Sequence, residues 1–232
     1  MIISTDSLWF HPVNVMYHFA RLDNISRPEY KKSKVFRKAY EANLAAIMLM
    51  GIIKLQKQNY WMQLVEDKEG TPDIRTFRYA EKNGILNWQE IQEVEVVQYE
   101  YHSNELLTDF LKNKKLPPKK SYPETTTILC LADKITSLPS WQKQFEALQD
   151  VQAQNPVIIL GKTHPDKNIY TICQIHPEID LLCEFDLTAE AAGKKNVGVL
   201  KVHFDPKGKP EKFIHLPDEK HYPFEALGIK KS

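Results

Sequence analysis

The chain has little of several things that would fix its class at once. It has three cysteines, Cys130, Cys173 and Cys183, in 232 residues. A sparse, odd set is no disulfide framework and fits reduced thiols. It has almost no net charge, +1 from 31 basic and 30 acidic residues. No field of one sign therefore steers the whole molecule to nucleic acid, and any such contact must come from local patches. It has no long apolar run. Leu44 to Leu55 is the most apolar stretch, and it is well short of the roughly 18 to 20 residues a membrane span needs. The N-terminal MIISTDSLWFHP lacks the basic region and apolar segment of a secretory signal. The expected location is cytoplasmic, with no membrane partner.

Several catalytic patterns are missing too. His164-Pro-Asp166, His176-Pro-Glu178 and His203-Phe-Asp205 are scattered pairs without zinc spacing, and the cysteines complete none of them. Gly161-Lys162-Thr163 looks like the end of a phosphate-binding loop, but position 156 is Pro where that loop needs glycine. No nucleophile elbow is visible. Cys130, inside an apolar segment, reads as core. There is no internal repeat and no long low-complexity tract.

What is present is an ordinary globular composition, 42% hydrophobic and 26% charged. A chain of this length buries roughly 70% of the surface its unfolded form exposes. Residues 1–25, with Trp9, Phe10, Tyr17 and Phe19, read as a docked arm or short helix. Ser26-Arg-Pro-Glu29 has the form of a capping box. Phe36, Tyr40, Leu44, Ile47, Met48 and Leu55 then recur at three-, four- and seven-residue steps and predict one helix over 34–55. Gly51 weakens its last turns.

Strands are expected at 60–65, 72–79 and 92–101, then a short helix from Ser103 with Leu106, Leu107, Phe110 and Leu111 as its apolar face. A Lys/Pro-rich loop leads to a strand at 126–131. Beyond it the sequence predicts a helix near 141–151 and strands at 156–160, 169–175, 181–185 and 197–204. Residues 206–232, rich in Lys and Pro, read as a surface wrap. The whole is an α/β protein with a mixed sheet. Residues 1–25 form the arm, 26–135 a core of order α-β-β-β-α-β, and 136–232 a β-rich extension that packs on the same sheet or forms a small second lobe.

The acids fall at particular places in that order. Pro72-Asp73 opens the second strand, and Glu93-Val94-Glu95 lies in the third. Strand side chains alternate, so Glu93 and Glu95 share a face. Like charges side by side on one strand repel, and a divalent cation would relieve the repulsion. The bland alternative is a solvated edge with Asp73 in a turn.

In these residues the chain resembles the PD-(D/E)xK nuclease superfamily, the restriction-endonuclease-like fold, over roughly residues 34–132. That family carries Asp at the start of one strand and Glu-x-Lys, less often Glu-x-Glu, in the next. Here the matching residues are Asp73 and Glu93-Val94-Glu95, with Glu95 in place of the lysine. The resemblance implies hydrolysis of phosphodiester bonds in DNA or RNA with Mg²⁺ or Mn²⁺. Asp73 and Glu93 would bind the metal, with Glu41 on the first helix as a further acid. Glu95 would position or deprotonate the attacking water.

Two basic clusters bear on the same question. Lys31, Lys32, Lys34, Arg37 and Lys38 crowd the start of the long helix, where cations oppose the helix dipole. Lys112, Lys114, Lys115, Lys119 and Lys120 fill the loop after the second helix, with Tyr122 beside them. Either cluster suits a nucleic-acid backbone, and either serves equally as a solvated surface. Nucleic acid is the expected partner, and a homodimer is an allowed assembly. The competing reading is a non-catalytic binding or interaction protein, either a degenerate nuclease fold or a regulatory partner.

Overall fold

The computed structural model describes residues 6–65, 73–82, 85–98, 107–116, 122–131, 142–143, 146–149, 155–164, 166–192, 194, 197–207, 209–217 and 221–230. Ten strands lie in one mixed sheet. They are β1 (Asp6–Phe10), β2 (Tyr60–Leu64), β3 (Ile74–Lys82), β4 (Ile85–Gln98) and β5 (Thr126–Leu131), then β6 (Val157–Lys162), β7 (Ile169–His176), β8 (Asp180–Asp186), β9 (Val199–Phe204) and β10 (Pro210–Leu216). The order across the sheet is β10-β9-β1-β2-β3-β4-β5-β6-β7-β8. Strands β4, β5 and β6 run parallel, and every other neighbouring pair is antiparallel.

The parallel strands are covered on both faces, and their sequences say why. TTILCL and VIILGK are continuous apolar runs rather than alternating ones, as expected of strands with two buried faces. Ile128, Cys130, Val157 and Ile159 face one core with Leu111 and Leu148. Leu129, Ile158 and Leu160 face the other, with the long helix. A third cluster, Trp9, Trp61, Phe77, Leu200, Val202 and Phe204, lies on β1, β2, β3 and β9.

The helices are α1 (Pro12–Ile25), the short α2 (Pro28–Lys31), α3 (Lys34–Gln56), α4 (Leu107–Phe110) and α5 (Leu187–Ala192). A π-helical turn, Leu111–Lys115, continues α4, and Pro223–Leu227 form a 3-10 turn. Helix α3 organises one face of the sheet. The Ser33 hydroxyl accepts from the Phe36 amide at 3.1 Å and caps its start. Lys57, at φ 56°, ends it in the left-handed conformation. All ten residues from Leu44 to Ile53 are buried, because α1, α5 and the sheet enclose the helix. An added Cβ on Gly51 would stand 2.7 Å from Phe185 Cε1 and 2.8 Å from Ile172 Cδ1. The glycine therefore sets the close approach of α3 to β7 and β8. No helix among the described residues is long and apolar enough to cross a membrane.

Two segments differ from expectation. Where an arm or short helix is expected, the chain forms β1, seated between β9 and β2, and then the 14-residue α1. Trp9 and Phe10 alternate to opposite faces of the sheet, a strand pattern that the aromatic count alone conceals. Ser26 is the C-cap of α1, and Ser33 caps α3 instead. The expected surface wrap contributes β10, and Tyr222, Phe224 and Ile229 are buried in the α3 core. A few apolar residues in a Lys/Pro-rich segment were enough to dock it. Of the helix expected at 141–151, residues 142–143 and 146–148 are helical, and 141, 144–145 and 150–151 lie outside the described residues.

Candidate functional site

Strands β2 and β3 begin their pairing at Asp73, whose carbonyl accepts from the Val65 amide at 3.3 Å. From Ile74 onward β3 pairs with β4, Ile74 opposite Val94. One step back, Asp73 stands at the register position opposite Glu95. There β3 no longer supplies a backbone acceptor to β4. The Asp73 side chain takes that place, its Oδ2 accepting from the Val96 amide at 2.8 Å. The acid thus closes the end of the β3–β4 ladder.

The other oxygen of Asp73 meets α3. Its Oδ1 is ion-paired and hydrogen-bonded to Lys38 Nζ. The same ammonium lies 3.6 Å from Glu41 Oε2, and Arg37 Nε lies 3.7 Å from Glu41 Oε1. The side chains of Asp73 and Glu41 are 8% and 9% exposed. Two buried carboxylates therefore share one cation. Burial, then the nearby Asp73 carboxylate, push the Glu41 carboxyl up to about 6, against the pull of Lys38 and Arg37.

Glu93 and Glu95 are not part of this group. Val94 and Val96 pack in the α3 core, so by alternation Glu93 and Glu95 face the other side of the sheet, with Val97. The Thr126 hydroxyl donates to Glu93 Oε2 at 3.4 Å, and the Tyr122 hydroxyl to Glu95 Oε1 at 3.4 Å. Lys115 Nζ, from the π-helical turn, lies 3.9 Å from Glu95 Oε1. The structure thus brings Asp73 and Glu41 together and sets Glu93 and Glu95 apart from them. No group of three or more His, Cys, Asp or Glu among the described residues is placed to hold a metal ion.

Of the basic residues, Lys31 is paired with Asp23 at 2.6 Å. Lys32 is exposed, and so is Lys34 at the start of α3. Lys114 stands over the Phe110 ring, 5.0 Å from its centroid, and Lys119 and Lys120 lie outside the described residues. Two residues of the corner escape a reading of motifs. Lys38 is one of the five cations clustered at the start of the long helix, and its spacing of three from Glu41 is the available signal. The Val96 amide has no sequence signal at all. The three cysteines are free thiols. Cys130 is fully buried and its thiol is pushed up to about 12 by burial, which leaves it no nucleophile.

No protein-family model, no curated protein and no solved structure matches this chain.

Proposed function

We propose that the chain is a metal-dependent nuclease with a restriction-endonuclease-like core over residues 34–131, and that its site is the corner where β3 and β4 part. The observation that carries the reading is the pair of buried carboxylates, Asp73 and Glu41, gathered about the Lys38 ammonium. The order α3, β2, β3, β4, α4, β5, with β4 and β5 parallel, supports it. So does the place of Asp73, at the point where two paired strands separate.

The donor set suits a divalent ion. Mg²⁺ commonly takes one or two protein carboxylates and completes its shell with water and phosphate. Asp73 and Glu41 would hold the ion, which when bound would polarise a phosphoryl oxygen. Val96 fixes the Asp73 carboxylate through its amide. Glu95 pairs with Lys115 on the opposite face and lies away from this ion. Glu93, turned away and bonded to Thr126, is left out of the ligand set.

The Lys38 contact also favours a second reading. An ion network already closed by its own lysine is complete without a metal, as in a non-catalytic binding or interaction protein. Thermal unfolding with and without Mn²⁺, together with nicking of plasmid, single-stranded DNA and RNA, separates the two. The nuclease reading expects Mn²⁺ to raise the melting temperature by mass action on the native state. Asp73→Asn should then abolish both that rise and the cleavage. Wild-type protein with neither property leaves the binding reading.

A further inference from the structure

Beneath the C-terminal half of α3 lies a cavity of about 630 Å³. It begins at Met48, ten residues along the helix from Lys38. At 1.5 Å per residue that is about 15 Å along the helix from Lys38, while on the sheet side the lining reaches Val94, two residues from the Val96 amide that holds Asp73. Its volume falls within the roughly 300 to 1,000 Å³ of small-molecule sites. Met48, Leu49 and Ile52 of α3 line it on one side. Strands β3 to β7 line the other, with Thr76, Gln92, Thr127 and Gln174 among their polar groups.

One end of the cavity is cationic. Arg78 Nη1 donates to Gln56 Oε1 at 3.2 Å, to the Tyr60 hydroxyl at 3.4 Å, and to Gln58 Oε1. All three partners are neutral. The Tyr60 phenol donates in turn to Gln56 Oε1 at 2.6 Å, and burial pushes its pKa up, so it stays uncharged. Among the described residues no Asp or Glu lines the cavity; the Arg78 guanidinium carbon stands 5.9 Å from the Tyr60 ring centroid, and among those residues its Nε and Nη2 donate no hydrogen bond. A guanidinium has five donors in a planar fork. Here one nitrogen is used and no carboxylate answers the charge.

We propose that this cavity binds a small organic anion with a flat, hydrogen-bonding body, of which a nucleoside monophosphate uses every part. Its phosphate would take the free edge of Arg78, matching the fork that suits phosphate and carboxylate alike. Its base would lie against Leu49 and Ile52, read by the amides and hydroxyls of Gln92, Thr127 and Gln174. Such groups supply both donors and acceptors, as a base edge requires and an acyl chain does not. The proposal stands apart from the hydrolytic reading and survives its failure.

The test is calorimetric titration and thermal shift of the full chain with the four ribonucleoside monophosphates, the parent nucleosides and a fused-ring aromatic carboxylate. A monophosphate should bind, and its nucleoside should bind at least tenfold more weakly. Arg78→Met should weaken monophosphate binding at least tenfold, and Arg78→Lys should restore part of the loss. Gln92→Trp, built on an exposed side chain at the rim, should block binding and leave the ligand-free melting temperature unchanged. If the carboxylate binds and the monophosphates do not, the site stands with a carboxylate as its anion. Two results overturn it: no binding of either anion to the wild type, or binding that Arg78→Met and Gln92→Trp both leave unchanged.

Discussion

Glu41 offers a test of the corner that needs no substrate. Its carboxyl titrates near pH 6 in the folded protein, against an ordinary value of 4.5. The folded state therefore holds this proton more tightly than the unfolded chain does. Below pH 4.5 both states are protonated and the group has no ionisation cost. As pH rises through 4.5 to 6 the unfolded chain releases the proton first, and native stability falls. Above 6 the loss is complete and constant. A difference of 1.5 pH units at 1.36 kcal/mol each amounts to about 2 kcal/mol. The side chain is only 9% exposed, so solvent screens little of it. Glu41→Gln keeps the shape and removes the charge. It should leave stability unchanged at pH 4 and raise it by about 2 kcal/mol at pH 7. For a chain of this size that is about 4 to 8 °C in melting temperature.

The wild-type profile alone does not isolate this effect, because His11 titrates with the opposite sign. The informative quantity is the difference between variant and wild type, from urea unfolding at half-unit steps between pH 4 and 8. That difference should climb from zero to its plateau between pH 4.5 and 6. Saturating Mn²⁺ should shrink the plateau, since a divalent ion favours the ionised carboxylate. A Glu41→Gln curve parallel to the wild type, or a variant less stable at pH 7, refutes the argument. Glu41 would then be held by Lys38 and Arg37 more strongly than burial opposes it.

Two further substitutions test packing and titration elsewhere. Gly51→Ala should destabilise by about 1 to 2 kcal/mol: overpacking costs roughly 1 to 3 kcal/mol and outweighs the helix propensity gained. Phe185 and Ile172 are buried and leave no room for the new Cβ; a raised melting temperature refutes that. His11 is fully buried, and burial, then Lys194, lower its pKa to about 4 from 6.5. The stability it lends is full above pH 6.5 and is lost as pH falls toward 4, about 3 kcal/mol in all. His11→Asn, which keeps an acceptor for the Val13 amide, should flatten that acid loss in urea unfolding at pH 7 and 4.5, and an unchanged loss counts against it.

Much of the fold is legible where one local pattern dominates. The three-four apolar period predicts α3 to within a residue, because a helix enclosed on most sides needs that stripe whatever packs against it. The continuous runs TTILCL and VIILGK mark strands covered on both faces. Elsewhere the deciding term is tertiary. DSLWF becomes a strand because β2 and β9 flank it, and residues 210–216 become one because β9 has an open edge. Gly51 reads as a weak point in a helix, and its reason is Phe185, 134 residues away in sequence.

The acidic site is the harder case, and the pleat explains why. Glu93 and Glu95 share a face by strand periodicity, and that inference holds. Asp73 is not governed by the same periodicity. It sits one residue before β3, tied to β2 through its carbonyl but past the last β3–β4 pair, and its carboxylate accepts from the Val96 amide. From there its second oxygen points to α3, not to the face that Glu93 and Glu95 occupy. The acid that shares its cation is consequently Glu41, on a helix the Glu-x-Glu spacing says nothing about, and the cation is Lys38. A lysine is thus present at this corner after all, brought by α3 three residues before Glu41 instead of by β4 two residues after Glu93. If the corner acts on phosphodiesters, its competence depends on Asp73, Glu41 and Lys38 as one unit, and Glu93 can be lost without harm.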